Sequence, residues 1–171
     1  MELIFFGRVI IILAAIVGLI PLLICVNRRT REIGGWLLYY YIQLYVAVVF
    51  ILISTVLTVH DYLPPAWAAQ PGLYPWFLLS IVPGRLVLLV QLVFAEMLRL
   101  SRDYRHVHAL RLVLWADFAA AIIAIAIDVS FFKHKLILDI LALIWPFIWL
   151  PYFYVSKRVV RVFRTNAPAS A

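Results

Sequence analysis

The chain has 171 residues, of which 67% are hydrophobic and 13% charged, and its mean hydropathy is +1.05. A soluble domain of that length turns far more polar surface to water, so that class is excluded and the excess apolar residues are left to face lipid. The formal charge of +7 does not call for nucleic acid, because Lys and Arg sit in short clusters between apolar runs, and the lone Cys25 excludes a disulfide scaffold.

Five runs approach or exceed the roughly 20 residues needed to cross a hydrocarbon core. They cover about 9–26, 34–59, 74–98, 109–129 and 136–155. The predicted fold is therefore all-α, a polytopic membrane helix bundle of about five transmembrane helices. The first run has no positively charged segment before it, since Glu2 precedes Arg8. Leu23 and Ile24, just ahead of Cys25, are too large for a cleavage site, so this run is expected to remain as an uncleaved anchor.

The second run opens at Gly34-Gly35-Trp36 and carries Tyr39, Tyr40, Tyr41, Gln43 and Tyr45. Tyr39 and Tyr40 are expected at the interfacial belt, with Tyr41, Gln43 and Tyr45 hydrogen-bonding between helices. The loop after it holds Pro64, Pro65, Trp67, Pro71 and Pro75. Its prolines discourage a helix, and its aromatic rings suit an ordered cap on the outer membrane surface.

The third run contains Pro83, Gly84 and Arg85 near its middle, which predicts a kink and a close helix approach, with Glu96 eleven residues further on. Eleven residues return almost to the same helix face. The fourth run repeats the spacing with Asp117 and Asp128. Ionisable groups inside hydrocarbon are costly unless paired, so Arg85, Glu96, Asp117 and Asp128 are the candidate polar residues. Arg85 and Asp117 both fall near the midplane and are expected to form an ion pair. Glu96 has Arg99 or Arg111 in reach. Asp128 and Asp139 have Lys133, His134 and Lys135. Two uses of the central pair stay open: a pin between helices, or part of a polar route for protons or a small solute.

The fifth run holds Pro146 and Pro151, which interrupt backbone hydrogen bonds and leave either a cavity-lining break or a packing kink. His60, His106, His108 and His134 are expected in loops, with no metal-ligand spacing among them. No nucleophile elbow, phosphate loop or dinucleotide fingerprint is present, which argues against an enzyme and calls for no cofactor.

Loop charge orients the bundle. Arg28, Arg29 and Arg31 follow the first run, Arg99, Arg102, Arg105 and Arg111 surround the third connection, and Lys157, Arg158, Arg161 and Arg164 follow the fifth. With five spans these clusters share one side, giving an outside N-terminus and a cytoplasmic C-terminus. Lys157, Arg161 and Arg164 fall near one face of a continuing helix, and all four basic residues there suit anionic headgroups. Residues 165–171 have nothing to bury and are expected to be disordered.

Two stretches resemble a known family. Glu32-Ile33-Gly34-Gly35-Trp36-Leu37 and Ile148-Trp149-Leu150-Pro151-Tyr152-Phe153-Tyr154-Val155-Ser156-Lys157-Arg158-Val159 are similar to the opening and closing patterns of bacterial proteins of the domain of unknown function 2569 family. The resemblance implies a four-helix inner-membrane protein with both ends inside and no established activity. It covers residues 32–164, leaving 1–31 as an additional helix with a basic linker. The chain departs from the pattern in that helix and in a longer Arg/His-rich connection after the third span. The leading expectation is a non-enzymatic accessory subunit of a larger membrane complex, with a membrane-protein partner or a second copy. The alternatives are a small transporter built on Arg85 and Asp117, and a lipid-, quinone- or pigment-associated protein.

Overall fold

The structure is a computed structural model that describes residues 19–28, 34–132 and 136–164. Helix α1 covers residues 19–27 of the described chain, followed by α2 (Trp36–Leu57), α3 (Tyr74–Ser101), α4 (Tyr104–Ile127), α5 (Leu136–Val155) and α6 (Lys157–Arg164). Among the described residues there is no strand. Three helical stretches, Trp36–Leu57, Pro71–Ser101 and Tyr104–Phe132, are long and apolar enough to cross a membrane, and on that ground the chain is a helical membrane protein. Outside the described residues lie the first half of the first predicted span, Arg29, Arg31, the Glu32-Ile33 opening of the family-like motif and the tail. So do Lys133, His134 and Lys135, expected beside Asp128 and Asp139.

The chain divides into two compact units, residues 1–49 and 50–171. In the first, Gly35 takes φ 58°, a left-handed turn natural to glycine, and its N–H donates to the Cys25 carbonyl at 3.2 Å. That turn starts α2 directly at Trp36. Tyr40 is fully buried beside Leu37, Tyr41 and Leu44 in the sequence of α2, whereas Tyr45 is exposed. Of these two tyrosines, the ring of Tyr40 is thus covered by protein and that of Tyr45 is not. Position around the helix, not distance from its end, decides which ring is covered.

In the second unit α3 packs along α4, and α4 along α5. Leu88, Ala95 and Leu98 of α3 and Leu110, Leu114 and Ala121 of α4 are buried, giving each helix a narrow packed stripe and leaving its other faces apolar and exposed. That is the arrangement for lipid, where close packing rather than escape from water joins helices.

Helices α3 and α4 are longer than the sequence suggests, and two residues connect them. Arg102 takes the left-handed conformation at φ 53° and its N–H donates to the Leu98 carbonyl at 3.0 Å. Asp103 caps α4, its Oδ1 accepting the Arg105 N–H at 2.8 Å. The connection is therefore tight rather than long, and His106 and His108 lie on the first turns of α4 instead of in a loop. Charged residues mask a helix end in a hydropathy reading because they are apt both for loops and for the interfacial turns of a span.

The proline-rich segment between α2 and α3 forms three short 3₁₀ turns, Val59–Tyr62, Pro64–Trp67 and Pro71–Leu73. Prolines head the last two, where their fixed φ helps and the missing N–H costs nothing. Trp67 closes the segment: its Nε1–H donates to the Asp61 carbonyl at 2.8 Å, and its ring lies 4.6 Å from Phe77 and 6.1 Å from Phe132. Tyr74 adds a bond from its hydroxyl to the Tyr62 carbonyl at 3.0 Å. Trp67→Ala removes this hub. It should cost about 1–2 kcal/mol at ordinary values for aromatic pairs and one hydrogen bond. Limited proteolysis will check this: cleavage within residues 58–73 should become markedly faster while the remaining helices resist.

Candidate functional site

The ionisable residues of the apolar helices are the candidates, and the structure distributes them differently from the expected pairs. Arg85 lies fourteen residues after Pro71 and sixteen before Ser101, the middle of its helical stretch. Its guanidinium is engaged by residues other than Asp117. Nη1 donates to the Thr55 hydroxyl, which itself donates to the Ile51 carbonyl at 2.7 Å, and the guanidinium carbon sits 5.1 Å from the centre of the Tyr62 ring. A hydroxyl and an aromatic face thus take the place expected for a carboxylate. No ion pair joins Arg85 to Asp117.

Pro83 does not interrupt α3, nor do Pro146 and Pro151 interrupt α5, both of which continue as helices through these positions. Gly84 does not mark a close approach, because a Cβ built there would have nothing within 4 Å. The space beside it is open.

Asp117 occupies the centre of the fourth run, thirteen residues after Tyr104 and fifteen before Phe132. It falls at helical spacing in the stripe Leu110, Leu114, Asp117, Ala121, whose other members are buried or half-buried in the α3–α4–α5 packing. Asp117 itself is half-buried and makes no hydrogen bond or ion pair among the described residues. Helices α3 and α4 are antiparallel about the Arg102-Asp103 turn, so Asp117 lies about level with Leu88, one turn from Gly84.

Asp128 opens a five-residue π-helical segment, Asp128–Phe132, that finishes the same helix. It is 3% exposed, and its Oδ1 has no hydrogen-bond partner among the described residues. The segment brings Phe132 to Trp67 of the proline-rich segment and Phe131 to Trp76 of α3, on which it stacks at 4.9 Å. Short π segments of this kind recur at functional sites.

Glu96 pairs with Arg99, one helical turn on, at 2.6 Å, which is the first of the two partners the sequence offered. Arg111, the second, is otherwise engaged. It is 8% exposed and donates from Nε and Nη2 to the Phe153 carbonyl at 3.1 and 2.6 Å. Its guanidinium carbon lies 4.4 Å from the centre of the Tyr154 ring. Helix α5 ends at Val155 and Ser156 breaks the path into α6, so the last carbonyls of α5 lack helical donors. Arg111 supplies two, and its charge meets the negative end of the α5 dipole. The sequence offered Arg111 as an orientation signal and as a partner for Glu96, not as a cap on α5. The available cue was its place on the stripe Tyr104, His108, Arg111, Trp115, Phe118, spaced 4, 3, 4, 3.

Beyond that junction α6 is strongly two-faced. Val159 and Phe163 are fully buried, Lys157 and Arg161 are exposed and Arg158 is half-buried, while the Arg164 side chain falls outside the described residues.

No family model, curated protein or solved structure matches the chain.

Among the described residues the arrangement places one satisfied arginine and one unengaged carboxylate at mid-helix, a second carboxylate sealed near one end of α4, and a buried arginine closing the end of α5. Among the described residues no three His, Cys, Asp or Glu side chains gather as a metal set.

Proposed function

We propose that the chain is a non-enzymatic, multi-pass subunit of a bacterial inner membrane, with five spans, an outside N-terminus and a cytoplasmic C-terminus, and that it docks against a partner membrane helix. Residues 32–164 form its four-helix unit on the pattern of the family of domain of unknown function 2569, with the first helix added in front. The three Arg/Lys clusters support the orientation. The amphipathic α6 supports contact with anionic headgroups through Lys157, Arg158, Arg161 and Arg164.

The observation that carries the docking reading is Asp117. A carboxylate at mid-depth with no partner among the described residues is costly in lipid, and the arginine at the same level is already taken by Thr55 and Tyr62. A transmembrane helix carrying one Lys or Arg at mid-depth supplies the missing charge, and the half-open stripe beside Gly84 gives it room. The partner is therefore a helix of that chemistry, held by one buried pair within an otherwise apolar contact.

The test is crosslinking in native membranes followed by purification in mild detergent. The wild-type chain should co-purify at constant ratio with one membrane protein that has a basic residue in a span, and Asp117→Asn should lower that yield about tenfold, as loss of a buried charge partner implies. A wild-type chain that runs alone and crosslinks to nothing overturns the proposal. Equal assembly by the Asn variant does so as well. A solute flux lost in Asp117→Asn with assembly intact would replace docking with ion- or solute-coupled transport.

A further inference from the structure

Between α4 and α5 lies a groove of about 290 Å³ lined by apolar atoms of Trp115, Phe118, Phe147, Leu150, Pro151 and Tyr154. It differs from the packed stripe that carries Asp117, because Trp115 and Phe118 belong to the neighbouring face of α4. Its walls stand open to the surroundings: Trp115 is 50% exposed, Phe147 69% and Tyr154 52%. Pro151, which has no N–H to give the carbonyl four residues earlier, forms part of its floor.

One end of the groove is cationic. The face of α4 that supplies Trp115 and Phe118 continues through Arg111 to His108 and Tyr104, one helical turn at a time. The Arg111 guanidinium covers the Tyr154 ring and Nη2 donates to the Tyr104 hydroxyl at 3.3 Å. His108 is exposed next to Tyr104, ring centres 5.2 Å apart. Exposed Lys157 opens α6 just past the end of α5, and α6 packs against α4. The carboxylates nearest in sequence are engaged, Glu96 with Arg99 and Asp103 with the first turn of α4. The other end of the groove, at Phe147, is purely apolar.

We infer that this groove is a binding site for an anionic amphiphile, with one alkyl chain along Trp115, Phe118, Phe147 and Leu150 and the anionic head at the His108 and Lys157 end. Aromatic walls and a proline surface offer a fixed trough to a flexible chain. The one-sided charge selects the head and sets the direction of entry. Two sources share this chemistry, an anionic glycerophospholipid and a free fatty acid. The site is independent of the partner proposed for Asp117, and it uses the α6 charges only as its rim.

The experiment is native mass spectrometry of the full chain from micelles doped with equal amounts of phosphatidylglycerol and phosphatidylcholine of identical acyl chains, and separately with oleate. The wild-type chain should retain one phosphatidylglycerol, about tenfold in preference to phosphatidylcholine, a difference of about 1.4 kcal/mol. The double variant Trp115→Ala, Phe147→Ala removes two exposed walls, leaves α6 intact, and should lose most of that retention. A second double variant, His108→Gln with Lys157→Gln, should keep the bound chain but lose the preference for the anionic head. Oleate retained with the same dependence on the walls identifies a free fatty acid as a ligand, and retention of phosphatidylglycerol alone identifies the phospholipid. Retention unchanged by the wall variant assigns the lipid to α6 alone and overturns the site. Equal retention of the two headgroups by the wild type overturns it too. Circular dichroism of each variant distinguishes a lost site from a lost fold.

Discussion

Arg111→Met should destabilise the protein by about 2 kcal/mol and loosen the junction of α5 and α6. The substitution keeps length and apolar bulk but removes both donors to the Phe153 carbonyl, at 3.1 and 2.6 Å, together with the cation over Tyr154. A buried carbonyl left without a donor costs about 1–3 kcal/mol, and a partly desolvated cation–π contact about 1–2 more. Against that stands the relief of no longer holding a charge in a site that is 8% exposed. The relief is the smaller effect, because Arg111 lies seven residues into α4, about 10 Å along the helix, and the α5 dipole already offsets part of its charge. Arg111→Lys should recover less than half of the loss, since one ammonium group cannot reproduce a two-nitrogen grip combined with ring stacking. Thermal unfolding in detergent reads the stability. Hydrogen exchange at residues 153–158 should rise more than at the middle of α4, and uniform exchange across both would contradict the cap.

Asp128→Ala should do the opposite and stabilise the chain by about 1–3 kcal/mol. Asp128 is 3% exposed and its Oδ1 has no hydrogen-bond partner among the described residues. A sealed polar atom without a partner bears its full desolvation cost, and removing it restores that amount less the small loss of packed volume. Proteins keep such residues where a task requires them, and the π-helical turn that begins at Asp128 is the kind of local irregularity that goes with one. The variant should therefore unfold at higher temperature. A lower unfolding temperature would mean that the carboxylate makes a bond that holds α4 to its neighbours, and the argument from the unpartnered oxygen would fail.

Much of the architecture was legible without coordinates. Runs of apolar residues too long for a soluble core dictate helices, because lipid satisfies no backbone group and each span must bond internally. The spans opening at Trp36 and Tyr74 begin where glycine and proline punctuate the chain. The pairing of Glu96 with Arg99 needed only the rule that residues three apart meet on a helix. Asp117 was also recognisable as a mid-depth carboxylate from its place in the run alone.

What sequence could not supply was the direction of each long side chain. Arg85 and Asp117 have the right depth and the right charges for a pair, yet arginine spans several ångströms of choice, and a hydroxyl with an aromatic face competed successfully for it. The Arg111 cap depends on which turn of α4 lies against the end of α5, which is a packing outcome with no local signature. The tight turn at Arg102 and Asp103 was obscured because interfacial helix ends carry the same charged residues as loops. Composition and periodicity by themselves determined that this chain is helical and belongs in a membrane, since the energetic demand of lipid on the backbone acts on every residue alike. Only the tertiary structure decided which charges are satisfied, because that depends on a few ångströms of separation between helices distant in sequence.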